Sequence, residues 1–164
     1  MGGVDTPCSF TRHLPLEREA AFELVVDRFA DWWPREYTFS GEDLEDIGIE
    51  PMAGGACYEQ ARGGARIVWG TVLSIERPLF LRLAWQIGPG REVVADPAAA
   101  SRVVIEFRAE GEGTRVELSH GDFLRHGEGG EHYRSVMASE GGWPFCLDKL
   151  VEAARARAHV RPRR

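Results

Sequence analysis

Apolar residues at every second position, Leu79, Leu81, Leu83, Trp85 and Ile87, make residues 79–87 read as a strand with one water-avoiding face. The pattern recurs. Residues 102–109 put Val103, Ile105 and Phe107 in one phase, and residues 115–121 put Val116, Leu118 and His120 in one phase. Further strands are predicted over 46–51, 57–62 and 66–76, with shorter candidates over 8–14 and 37–40. Gly63-Gly64, Gly88-Pro89-Gly90 and Gly111-Glu112-Gly113 are tight-turn sequences, so successive strands pair as an antiparallel meander. A sheet that is apolar on one face must be covered. Two helical patterns are available for that. Near the N-terminus, Pro15 opens a stripe of Phe22, Val25, Val26 and Phe29 that runs on through Trp32 and Trp33 to Pro34. Near the C-terminus, a short helix over 131–139 is interrupted by Gly141-Gly142. Trp143-Pro144 then restarts it with Phe145, Leu147, Leu150, Val151 and Ala154. The expectation is an α+β fold in which a curved antiparallel sheet wraps a long C-terminal helix around an apolar cavity.

With 164 residues the chain fits one domain, placed at 9–158, with 1–8 and 159–164 as flexible termini. A net charge of −6 speaks against a nucleic-acid partner and against an anionic membrane surface. No apolar run is long enough for a bilayer, and the N-terminus lacks the features of a secretory leader. Cys8, Cys57 and Cys146 are odd in number and far apart, which suits reduced thiols in the cytoplasm better than a disulfide framework or a zinc site. No cofactor and no metal are expected. His120, His126 and His132 are evenly spaced but share no single helix or strand face. Asp43, Glu45 and Asp46 read as a solvated loop, and no nucleophile elbow, dinucleotide fingerprint or phosphate loop is present.

Strand parity nominates the functional residues. If Cys57 faces inward, so does Glu59, two positions on. His120 shares its face with Leu118. A buried Glu and His are costly unless paired, so they mark either a binding site or an acid–base pair. The plainer readings stand beside these: a core histidine bonded to backbone, and a Glu turned to solvent by a one-residue parity slip.

The order of several short pieces resembles the heat-shock-protein ATPase activator-like branch of the START/SRPBCC helix-grip superfamily. They are Trp32-Trp33-Pro34, Ile49-Glu50-Pro51 before Gly54-Gly55, Trp69-Gly70 with Val72, and Arg77-Pro78 leading to Leu83-Ala84-Trp85. Val116-Glu117-Leu118-Ser119-His120 and Gly141-Gly142-Trp143 before Leu147 complete the series. The likeness covers roughly residues 10–157. It implies a helix-grip fold with a cavity between sheet and C-terminal helix. Its walls are expected from Trp69, Leu81, Leu83, Trp85, Ile105, Phe107, Leu118 and His120 on the sheet, and Trp143, Leu147 and Leu150 on the helix.

Three functions are open, the first from the apolar strand faces opposite the helix and the other two as what the resemblance implies. The first is a binding protein for a small apolar molecule of unidentified structure. The second is a cyclase- or dehydratase-type enzyme in which Glu59 and His120 move protons. The third is an adaptor for a protein partner, or a homodimer, with an exposed apolar patch around Trp32, Trp33 and Tyr37.

Overall fold

The computed structural model describes residues 6–160. Strand β1 (Cys8–Leu14) leads into α1 (Arg18–Phe22), whose last turn widens into a π-helical turn, Glu23–Asp27. Short 3-10 turns then carry the chain to β2 (Leu44–Ile49), β3 (Ala56–Ala61), β4 (Arg66–Glu76) and β5 (Phe80–Trp85). After a long loop come β6 (Ser101–Glu110), β7 (Gly113–Gly121), α2 (Gly130–Ala138) and α3 (Trp143–Val160). All seven strands form one antiparallel sheet in the order β1-β7-β6-β5-β4-β3-β2. Register shifts in the β2–β3, β3–β4 and β4–β5 pairs bend that half of the sheet. This is a helix-grip fold.

The alternation read from sequence sets the rows of the inner face. Ile75, Leu81, Ile105, Leu118 and Phe10 lie opposite one another across five strands. Val72, Leu83, Val103, His120 and Cys8 form the next row. Gly70, Trp85 and Ser101 form a third, at the end where β5 leaves the sheet. Helix α3 covers these rows with Trp143, Cys146, Leu147, Leu150 and Ala154, while Phe22, Leu24, Val25 and Val26 close the far side. Phe22 meets Phe107 with ring centroids 5.0 Å apart.

Three local expectations need correction. Residues 37–40 form no strand. Thr38 instead donates its hydroxyl to the Arg35 carbonyl at 2.7 Å and accepts from the Gly41 N–H, which favours turns over a ladder. Leu79 does not join the inner row, because it sits in the β4–β5 turn and is 38% exposed. The terminal segments, expected over 1–8 and 159–164, fall mostly outside the described residues. Their inner ends differ from expectation, since Cys8 is buried in β1 and His159 continues α3.

Candidate functional site

A cavity of about 350 Å³ opens where α2, the start of α3 and the end of β5 diverge. The sequence explains the gap. Gly142 stands where an added Cβ would strike the Met137 carbonyl, so the chain turns sharply there and α2 and α3 separate. Trp85 and Ile87 form one wall, and Tyr133, Val136 and Met137 on α2 form another. Trp33, Tyr37 and Phe39 close the third side, with Pro89 and Arg91 at the rim and Cys146 beneath.

Hydrogen bonds hold these walls in place. The Tyr133 hydroxyl donates to the Ile87 carbonyl at 2.6 Å and accepts the Trp85 indole N–H at 2.9 Å. The Tyr37 hydroxyl donates to the Gly141 carbonyl at 2.8 Å, and the Arg91 guanidinium donates to the Tyr37 carbonyl at 3.1 Å. Burial pushes the Cys146 thiol up to about 12, helped by Glu36. Burial also raises the Tyr37 and Tyr133 phenols, so all three groups stay protonated around neutral pH.

His120 lies one row deeper than Trp85 and is fully buried. Its tautomer follows from its neighbours. The Trp143 indole can only donate, and it reaches Nδ1 at 3.0 Å, so the ring proton is on Nε2. Nε2 then donates to the Ser101 hydroxyl at 2.7 Å, which in turn donates a hydrogen bond to His126 Nε2 at 2.7 Å. The Ser101 N–H also donates to that nitrogen, at 3.1 Å. Burial, and then the neighbouring His126, holds His120 well below the ordinary histidine range. Burial lowers half-buried His126 too, against an opposing pull from Glu92.

Glu59 faces inward, as the Cys57 parity requires, and is 1% exposed. One carboxylate oxygen accepts the Phe39 N–H at 3.2 Å. The other accepts the Ser40 N–H and hydroxyl, both at 2.7 Å. Glu59 thus pins the loop that carries Tyr37 and Phe39. It also lines a crevice of about 10 Å³ beside the cavity, together with Trp69.

Of the residues nominated from sequence as cavity wall or acid–base pair, Trp85 lines the main cavity, and Trp69 and Glu59 line the crevice. Leu81, Leu83, Ile105, Phe107, Leu118, Trp143, Leu147 and Leu150 belong to the packed core instead. They sit in rows deeper than Trp85 or on the part of α3 that seals those rows. Parity identifies a face but not the depth along it, which is why these residues were placed on the wall. Glu59 and His120 do not meet: the first is bonded to the 39–40 loop and the second to Ser101 and Trp143. Trp32 is buried, donating to the Val25 carbonyl at 3.3 Å, and Trp33 and Tyr37 are half-buried around the cavity. The walls from α2 were missed, although Tyr133, Val136 and Met137 at i, i+3 and i+4 carry the signal of a covered helix stripe. The rim at 88–91 had no periodic pattern to find.

Residues 16–155 match the family model of the activator of Hsp90 ATPase homolog 1-like proteins. The chain belongs to this family. A solved structure of the anthrahydroquino-γ-pyrone synthase Txn09 is 29% identical, covering 92% of this chain and 99% of that one, with a TM-score of 0.63. The self-sacrificing resistance protein CalC from Micromonospora echinospora is 21% identical over 97% of this chain and 100% of its own, at a TM-score of 0.64. Protein NE0264 from Nitrosomonas europaea is 16% identical over 94% and 97%, at 0.65. At these lower identities the likeness speaks for the fold. Among curated proteins the chain has no match. No helix among the described residues is long and apolar enough to cross a membrane.

Proposed function

We propose that this family member binds a small, mostly apolar aromatic molecule in the cavity between α2, α3 and the end of β5. The observation that carries the reading is the cavity itself. Its volume of about 350 Å³ lies within the range of small-molecule sites, and five aromatic side chains line it: Trp33, Tyr37, Phe39, Trp85 and Tyr133. Flat rings on several sides favour a flat ligand. The Arg91 guanidinium at the rim supplies a cation to any polar edge left facing outward. The similarity to a synthase named for an aromatic, oxygenated ring system supports the same ligand class.

A catalytic reading also draws on that synthase, but the geometry favours binding. The cavity's thiol and phenols are held protonated, and the Glu59–His120 pair does not converge on it. The adaptor reading has less support, because Trp32 is buried and the exposed large apolar residues are dispersed over separate elements.

The test is native mass spectrometry of freshly purified protein, followed by fluorescence titration with bicyclic and tricyclic aromatics. Binding should quench the emission of Trp33 and Trp85 and raise the melting temperature. If no member of the panel changes either readout, the reading fails.

A further inference from the structure

Trp69 is buried to 3% exposure, and its indole nitrogen has no hydrogen-bond partner, the only such buried side-chain polar atom among the described residues. Its neighbours in the aromatic cluster are treated differently. Trp32 donates to the Val25 carbonyl, Trp85 to the Tyr133 hydroxyl and Trp143 to His120. A buried donor without an acceptor is costly, and native folds rarely retain one. Trp69 belongs to the wall of the 10 Å³ crevice, which shares Trp33, Tyr37, Phe39 and Ile87 with the main cavity. That space has room for about one water-sized oxygen.

Glu59 lines the same crevice. A carboxylate offers about four lone-pair sites. The Phe39 N–H, the Ser40 N–H and the Ser40 hydroxyl occupy three of them. Oε1, which takes only the Phe39 N–H, keeps one open. The crevice therefore offers one free donor, one free acceptor and space for one oxygen. A hydroxyl satisfies both at once, accepting from the indole and donating to the carboxylate. A carbonyl or ether oxygen would satisfy Trp69 and leave its other lone pair facing a negative charge.

We propose that Trp69 and Glu59 form the polar end of the ligand site and select aromatic molecules that carry a hydroxyl on the ring edge, that is, phenols. This rests on the cavity being a site for aromatic ligands. The aromatic body fills the main cavity, and the hydroxyl projects past Trp33 and Phe39 into the crevice.

The test uses two probes of nearly equal shape, 2-naphthol and 2-methylnaphthalene, titrated by calorimetry into the full chain. The wild type should prefer 2-naphthol by roughly tenfold or more, tenfold being the low end for the hydrogen bond to the charged acceptor taken by itself. Trp69→Phe keeps a ring but removes the N–H, and it should cut that preference severalfold. A second readout needs no variant. In ¹H–¹⁵N spectra of the wild type, the Trp69 indole resonance should move downfield with 2-naphthol and stay in place with 2-methylnaphthalene. If both probes bind but the preference is absent, or survives Trp69→Phe, the inference is overturned while aromatic binding stands. An indole resonance unmoved by 2-naphthol overturns it equally. If neither probe binds, the inference falls together with the aromatic-ligand reading.

Discussion

Lowering the pH through the ordinary histidine range should remove folding stability through His120, at up to about 1.4 kcal/mol per pH unit. The fold holds this ring neutral. Burial opposes its charge, and protonating Nδ1 would set an N–H against the Trp143 indole N–H that now donates to it. The unfolded chain has no such constraint and takes up the proton near the ordinary histidine value. Because the folded pKa is depressed, the stabilising effect is fully present above about pH 6.5. It is lost as the pH falls below that, at about 1.4 kcal/mol per unit while the folded ring stays neutral. His126 adds a smaller loss of the same sign, since it is half-buried, lowered by burial and partly opposed by Glu92. Urea unfolding followed by tryptophan fluorescence at several pH values measures the slope. His120→Gln supplies the control, because a glutamine amide can still accept from Trp143 and donate to Ser101 but does not titrate. The variant should lose the slope attributable to His120 between pH 6.5 and 5, above the range where most carboxylates protonate. Identical slopes in variant and wild type would refute a neutral, buried His120.

Tyr133→Phe should cost about 1–3 kcal/mol in urea unfolding, because it strands the Trp85 N–H and the Ile87 carbonyl at a buried wall. A Trp85→Phe, Tyr133→Phe double-mutant cycle should show positive coupling. Gly142→Ala should destabilise by about 1–3 kcal/mol, through the clash with the Met137 carbonyl. Gly141→Ala should stay within about 0.5 kcal/mol, its nearest neighbour being the Tyr37 hydroxyl at 3.8 Å. Iodoacetamide at pH 8 should modify Cys146 roughly a thousandfold more slowly in the folded protein than in urea, given a thiol raised from 9.0 to about 12. Peptide mapping by mass spectrometry separates it from Cys8 and Cys57, and equal rates in both states would contradict the burial.

The sheet was legible because its signal is periodic. Val103, Ile105 and Phe107, and Val116, Leu118 and His120, alternate without interruption, and each is buried as the alternation requires. Glu59 was legible only conditionally: alternation ties its direction to that of Cys57, and the burial of Cys57 is what settles it. What periodicity cannot supply is position along the face. Leu83 and Trp85 are equivalent by parity, yet Leu83 faces packed core and Trp85 faces a cavity. The difference arises from partners remote in sequence. Leu83 pairs with Val103, while Trp85 pairs with Ser101 at the last row, beyond which β5 gives way to a loop. The histidine hydrogen-bond network was invisible for a related reason: Ser101, His120, His126 and Trp143 come from four separate segments.

The two buried polar residues that stood out in the sequence therefore have different tasks. His120 is saturated on both nitrogens by a chain ending at His126, so its proton is committed to structure. Glu59 takes two hydrogen bonds on one oxygen and one on the other, and it lines the crevice with Trp69, whose indole N–H is the one buried side-chain polar atom without a partner among the described residues. In a fold built around a cavity, a fully satisfied polar group stabilises the shell. A donor without a partner and an acceptor with a lone pair to spare instead set the chemistry of the group that would bind between them. Calorimetry with a phenol and its methyl analogue tests this proposal directly, because the two ligands differ in the group that would meet Trp69 and Glu59.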